Sequence, residues 1–403
     1  MSEMSWLEID LGKVVANLAT LTSLTQRPFS PADPPRAKVA VCAVVKKNAY
    51  GLGAEAVAHA LVRAGCEMLA VFSADEARAL VQNAVASPIL LLMPLRDLKR
   101  TDLLYRHAID QKLHLSVHDL AQLRDLNSLG RTYGIRLPVH LYLDTGMSRS
   151  GLSAEQFASA VALLPGCTHL RLAGIFSHLA TSDGDGEFAL HQLDMFERVV
   201  AEQGEALPKD VVLHLANTCG ILRDGRLHLD MVRPGLGLYG YGQEMLGPGP
   251  VIGDVPQLAH TVRWVSHINH VQRYARDTPV GYGSTHRLER ESVLGIVPVG
   301  YGDGYPLALS NLASVRVLLE GGQPASADVR VLGRVNMDQL IVDLTDVASA
   351  ADGQRELVGA TVEVISGDPA APNSVPRLAA LAQSHPYEIL CRLGGHLPRR
   401  YVR

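Results

Sequence analysis

Several features that would narrow the possibilities are missing from this sequence. No run of lysines and arginines occurs, none interleaves with aromatics, and the formal net charge is -4. Nothing therefore draws the chain to a nucleic-acid backbone or an anionic membrane. Cysteine is sparse: Cys42, Cys66, Cys167, Cys219 and Cys391 are odd in number, widely spread and never in C-x-x-C spacing. That leaves no metal site and no disulfide framework, and fits reduced thiols in the cytoplasm. No stretch is long and apolar enough to span a bilayer. The start, M-S-E-M-S-W-L-E-I-D, is acidic and amphipathic and lacks the apolar stretch of a signal peptide.

What is present is a large apolar fraction, 47% of 403 residues, enough for two domains. Short β-rich runs at 38–46, 68–73, 88–93, 112–117, 138–144, 171–178, 211–215 and 229–234 alternate with helical spacing at 54–64, 74–82, 118–129 and 154–164. Alternation of this kind implies a parallel sheet, and eight units favour a (β/α)8 barrel over an open doubly wound sheet. Gly247-Pro248-Gly249-Pro250 marks a boundary. Beyond it lie short β-rich runs at 262–271, 293–297, 315–319, 329–332, 340–344 and 361–365, with one helix at 378–383. The expected architecture is an α/β chain: a barrel over 12–246, then a mostly β domain over 247–403 that strand 1–11 joins. The proline-rich 27–35 reads as an exposed loop.

The segment V-C-A-V-V-K-K-N-A-Y-G-L-G at 41–53 is the most informative. An apolar run ending in lysine is costly unless that lysine reaches solvent, is paired or does chemistry. A desolvated lysine sheds its proton and becomes an amine nucleophile or imine anchor. Strand alternation would put Lys46 and Lys47 on opposite faces, with Lys46 on the face of Cys42 and Val44. Other polar residues also fall at strand ends: Asp144, Thr145 and Arg149; Ser177 and His178; His214, Asn217 and Thr218; Arg233 and Gly235. All would gather at the C-terminal rim, where barrel enzymes build active sites. The turns at Asn217-Thr218 and Arg233–Gly237 occupy the usual phosphate-binding positions of this architecture. A reactive lysine beside a phosphate grip implies pyridoxal 5'-phosphate (PLP).

Longer motifs carry a family resemblance. A-V-V-K-x-N-A-Y-G (43–51), H-L-x-x-D-T-G-M-x-R-x-G (140–151), G-I-x-x-H (174–178), A-N-T (216–218) and D-M-V-R-P-G-x-x-L-Y-G (230–240) occur in order. So do G-Y-G-S-T (281–285), V-G-Y-G-D-G (299–304), G-R-V-N-M-D-Q (333–339) and P-Y-E-I-L (386–390). This pattern resembles the PLP-dependent alanine racemase family. The resemblance implies an isomerase that interconverts L- and D-alanine by a two-base mechanism, supplying D-alanine for peptidoglycan; a broad-specificity or serine racemase is the alternative. It also implies a homodimer with shared active sites. By the same resemblance Lys46 is the imine lysine and base for one face of the α-carbon, and Tyr282, from the other subunit, is the base for the opposite face. Arg149, Tyr301 and Met337 would lie at the substrate. Tyr50, Asn217, Thr218, Gly235, Leu236 and Tyr387 would bind the cofactor around its phosphate, Arg233 its pyridine nitrogen, and His178 would support Arg233.

Two departures stand out. Many relatives carry a lysine, often carbamylated, two residues before Asp-Thr-Gly; here Tyr142 stands there. Steadying Arg149 would then fall to the Tyr142 hydroxyl, a bound anion or Asp144. Leu52 replaces the histidine that often follows Tyr-Gly, a change expected to matter little.

Overall fold

The computed structural model describes residues 4–26, 38–253, 255–319, 325–350 and 357–403. The expected loop at 27–35 lies outside them. The chain forms two compact units: 14–49 with 54–258, and 1–13 with 50–53 and 259–403.

Strand β1 (Ser5–Asp10) belongs to the second unit. In the first, eight parallel strands run β2 (Ala40–Val44), β3 (Met68–Val71), β4 (Ile89–Leu91), β5 (Leu113–Val117), β6 (Leu137–Tyr142), β7 (Leu170–Phe176), β8 (Val212–His214) and β9 (Met231–Val232). They pair in sequence order from β2 to β8, and β9 returns to pair with β2. Main-chain bonds from Asp230 to Leu213 (3.0 Å) and Arg233 to Ala216 (2.8 Å) tie β9 to β8 and complete the ring. Every residue of β6 is buried, as a strand filling a barrel interior and facing helices outside must be. The expected helix at 74–82 forms at Ala74–Gln82 with a full capping box, Ser73 and Glu76 answering each other's main chain.

In the other unit a six-stranded sheet runs β16-β15-β18-β10-β1-β19, so the N-terminal strand does join the C-terminal β structure. These strands are β10 (Val262–His267), β15 (Ser314–Leu318), β16 (Ser326–Arg330), β18 (Thr361–Ile365) and β19 (Arg399–Val402). A second sheet pairs β11 (His270–Tyr274), β14 (Ser292–Val297) and β17 (Leu340–Asp343). The expected single run at 262–271 is thus two strands in different sheets, with Ile268-Asn269 between them. A helix at Pro386–Arg392, which the sequence pattern did not flag, carries Tyr387.

One local expectation is corrected. Strand β2 ends at Val44, and Lys46 opens a left-handed turn rather than closing the strand. Lys47, Asn48, Ala49 and Tyr50 have φ of 53°, 55°, 53° and 54°. For L-residues such a run costs roughly 1–2 kcal/mol each. Hydrogen bonds offset it: Lys47 N–H donates to Glu76 Oε1 (2.8 Å), Ala49 N–H to Val45 O (2.9 Å), and Asn48 Oδ1 accepts from Ala54 N–H (2.8 Å) at the start of the next helix. Strand alternation therefore does not decide between the two lysines; the turn does. It leaves Lys47 exposed, its ammonium over the Phe72 ring, and Lys46 half-buried. Glu76 also accepts from Phe72 and Ser73 N–H. Glu76→Ala removes the acceptor for three main-chain donors, and urea unfolding should show a loss of about 2 kcal/mol.

Candidate active site

Arg233 follows β9 and is almost fully buried. A guanidinium has five N–H donors and no acceptor. Here Nη1 donates to His214 Nδ1 (2.8 Å) and His214 O (2.9 Å), and Nη2 to Ser177 O (2.7 Å) and Leu215 O (3.2 Å). Only Nε–H makes no hydrogen bond among the described residues. Burial pulls the Arg233 pKa down to about 10, opposed by Cys42 and Tyr142, so it stays cationic at neutral pH. The ring hydrogen-bonded to Arg233 is that of His214. His178 is close enough to feel Arg233, Arg149 and Lys46 electrostatically. Burial first, then these three cations, push its pKa down to about 3. Lys46, Arg149, His178 and Arg233 thus converge on one rim.

The turns after β8 and β9 meet at Thr218. Its Oγ1 accepts from Gly235 N–H (3.1 Å) and Gly237 N–H (3.0 Å), which occupies its lone pairs and leaves its own proton for an acceptor. The N–H groups of Thr218 and Leu236, in residues 1% and 0% exposed, find no acceptor among the described residues. Buried main-chain donors are nearly always paired, so these mark a place for ligand oxygens. Asn217 is otherwise engaged: its Oδ1 caps the following helix through Gly220 N–H (2.9 Å) and accepts from Ser182 Oγ (2.9 Å).

Tyr142 ends β6, buried, its ring stacked on Phe176 at 4.6 Å and edge-on to His118. Its hydroxyl has no partner of good hydrogen-bond geometry, although the Arg149 guanidinium lies near enough to counter burial, which pushes the phenol up. Arg149 itself is exposed. Asp144, one candidate for steadying it, spends Oδ1 on the N–H groups of Gly146, Met147 and Ser148.

The remaining candidates lie in the other unit. The Tyr50 and Tyr387 rings meet at 5.5 Å. Tyr301 and Met337 share one turn, held by Tyr301 N–H to Asn336 O (3.0 Å) and Gly302 N–H to Met337 O (2.9 Å). A side chain at Gly300 would strike Met337 O at 2.1 Å, so only glycine allows this approach. Tyr282 sits on a short turn between positive-φ Gly281 and Gly283 and is 71% exposed. The histidines inside the barrel, His114 and His140, were not singled out from sequence; a histidine within a buried strand was the available signal.

Comparison with known proteins places these features. Residues 9–243 match the family profile described as alanine racemase, N-terminal domain, and 261–401 that of alanine racemase, C-terminal domain. An alanine racemase of Symbiobacterium thermophilum is 32% identical over 98% of this chain and 97% of its own. One from Synechocystis is 34% identical, covering 98% of both. Among solved structures, alanine racemase from Streptomyces lavendulae aligns at a TM-score of 0.82 with 28% identity, over 100% of this chain and 98% of that one. Alanine racemase from Bartonella henselae, solved with covalently bound pyridoxal phosphate, aligns at 0.79 with 27% identity over 99% of both chains.

The buried histidines set an acid limit. Burial, with nearby Arg171, holds His114 down at about 4 against an ordinary 6.5; burial, with neighbouring histidines and Arg233, also holds His140 and His214 well below 6.5. The unfolded chain takes up protons near 6.5 that the folded chain refuses, so stability is complete above that pH and is lost as pH falls toward the folded values. Urea unfolding at descending pH should show a loss of up to about 1.4 kcal/mol per pH unit for each such ring. The slope should shallow by one ring's share in His114→Gln.

Proposed function

The chain belongs to the alanine racemase family, and from that premise we propose that it is a PLP-dependent isomerase interconverting L- and D-alanine. The observation that carries the cofactor reading is the donor count at Arg233, whose one uncommitted N–H suits a pyridine nitrogen that accepts rather than donates. Thr218, Gly235 and Leu236 would hold phosphate, with Asn217 shaping their turn; the family resemblance adds Tyr50 and Tyr387 to the phosphate ligands. Bound PLP supplies an aldehyde for Lys46 and a conjugated ring that takes up the electron pair freed at the substrate α-carbon.

The chain's own task is to move a proton. Lys46 Nζ takes or returns it on one face and the Tyr282 hydroxyl on the other, because inversion needs a base on each side. Ordinary lysine and tyrosine lose their protons at about 10.4 and about 10, so both need cations nearby or desolvation. Arg149 and Arg233 supply the positive charge near Lys46. Tyr282 at 71%, Met337 at 55% and Tyr301 at 45% exposure are poorly covered for groups of a closed site. That supports a homodimer in which each copy lends these residues to its partner. Arg149 would grip the substrate carboxylate without a carbamate, and the Tyr301–Met337 turn would restrict the entry to small side chains. The barrel would carry the cofactor and the β-rich unit the second base and gate. A cytoplasmic enzyme making D-alanine for peptidoglycan is the role this reading fits.

Chiral chromatography of purified protein with a panel of L-amino acids tests the assignment. D-alanine should dominate; comparable turnover of lysine, arginine or serine would replace it with a broader racemase. Lys46→Ala should abolish the visible absorbance of bound PLP. Tyr282→Phe should keep that absorbance and lose about 10²–10⁴-fold in kcat. Activity should not respond to added bicarbonate, and a carbamate found by mass spectrometry on any lysine near Arg149 would refute the carbamate-free grip.

A further inference from the structure

Arg233 is the first link of a hydrogen-bonded line through the barrel interior. His214 on β8 receives its Nη1–H at Nδ1 (2.8 Å). His214 Nε2 lies 2.8 Å from His140 Nδ1 on β6, and His140 Nε2 lies 2.8 Å from His114 Nδ1 on β5. The line therefore runs from the C-terminal rim to the opposite end of the barrel, where His114 is the second residue of its strand. Its direction is fixed by chemistry. Arginine only donates, so His214 must accept at Nδ1 and carry its proton on Nε2. His140 must then accept at Nδ1 and donate from Nε2, and His114 must accept at Nδ1 in turn. An imidazolium anywhere in the line would set two donors against each other, so geometry alone requires three neutral rings.

The surroundings are built for this line. A side chain on Gly174, the β7 residue facing His140, would meet His140 Nδ1 at 2.3 Å, at the very atom that accepts from His214. The β6–β7 register also shifts between Val139 and His140. Phe176 stacks on His214 at 5.0 Å, and the Arg233 guanidinium lies over the same Phe176 ring, 5.3 Å from its centroid. The charged or titratable groups facing the three rings are Arg171 on β7, Arg233 and each other, with the Gln111 main chain at the far end. Among the described residues, no carboxylate is found among the groups acting on these rings.

We propose that His214, His140 and His114 form a one-way chain of neutral imidazoles that holds Arg233 in its cationic form with Nε–H aimed at the ring nitrogen of the bound cofactor. His140 and His114 are thereby positioning residues that act through His214 and Arg233. This rests on the reading that PLP sits against Arg233. Were the chain broken, His214 could turn or change tautomer, and Arg233 would lose a partner that fixes its plane. Each link polarises the next in the same sense, so the effect of the outer rings reaches the rim.

The test uses the holoenzyme labelled with ¹⁵N-histidine, its ring signals assigned through single His→Gln variants. Long-range ¹H–¹⁵N spectra should show His114, His140 and His214 as Nε2–H tautomers with bare Nδ1 across about pH 5 to 8. An Nδ1–H tautomer or a cation at any of the three in that range overturns the proposal. His140→Leu should lower kcat about tenfold, with KM for alanine little changed, and shift the visible band of bound PLP. His140→Gln, whose amide can accept and donate as the ring does, should restore most of both. Equal behaviour of the two variants overturns it. If His140→Leu does not fold, the wild-type tautomers and the Gln variant still decide. The expected tautomers in a protein that does not racemise alanine would uphold the chain and sink the substrate reading; racemisation with other tautomers would do the reverse.

Discussion

The barrel interior is organised around a cation that meets no carboxylate among the described residues. Arg233 is buried with its charge and answered by carbonyl oxygens and one imidazole. A buried charge without a counter-ion is tolerable only when nearly every donor is satisfied, because the desolvation penalty is several kcal/mol. Its acceptors come from Ser177 after β7 and from His214 and Leu215 at the end of β8, so the ring of strands must close correctly for the charge to exist there at all. Once closed, the barrel holds one donor of Arg233 in reserve.

Lys46 is presented by a different device. Four successive residues in the left-handed region put Lys46 at the mouth of the turn instead of in the sheet. Packing alone would not select such a conformation. Main-chain hydrogen bonds accepted by Glu76 and Asn48 do, which couples the lysine's placement to the start of two neighbouring helices. Under the proposed function, rigidity at Lys46 and a fixed donor on Arg233 would be complementary constraints, orienting a flat ligand at two ends.

Much of this was readable from residues. The eight strands appear because each apolar run is short and bounded by helical spacing, and the rim residues follow from where those runs stop. Lys46 was identified through its motif, while the reason first given for it, strand alternation, fails because β2 ends two residues early. A left-handed turn of Lys, Asn, Ala and Tyr has no local signal; of these only Asn48 favours it, and tertiary hydrogen bonds impose the rest. The split of 262–271 was hidden because both strands are β-rich and the turn at Ile268-Asn269 carries no glycine or proline. The hydrogen bond from Arg233 to His214 was not anticipated, because sequence order does not say which of two rim histidines points down into the barrel.

Gly174 carries a consequence for how this barrel can change over time. The position has room for His140 only while it lacks a side chain, and His140 has purpose only while His214 stands beside it. The three residues lie on three strands and far apart in sequence, yet they form a single unit of inheritance. A lineage that exchanges Gly174 for anything larger must release the imidazole opposite, and with it the whole line behind Arg233. Substitutions at 140, 174 and 214 should therefore travel together among relatives, while the outer faces of the same strands drift independently.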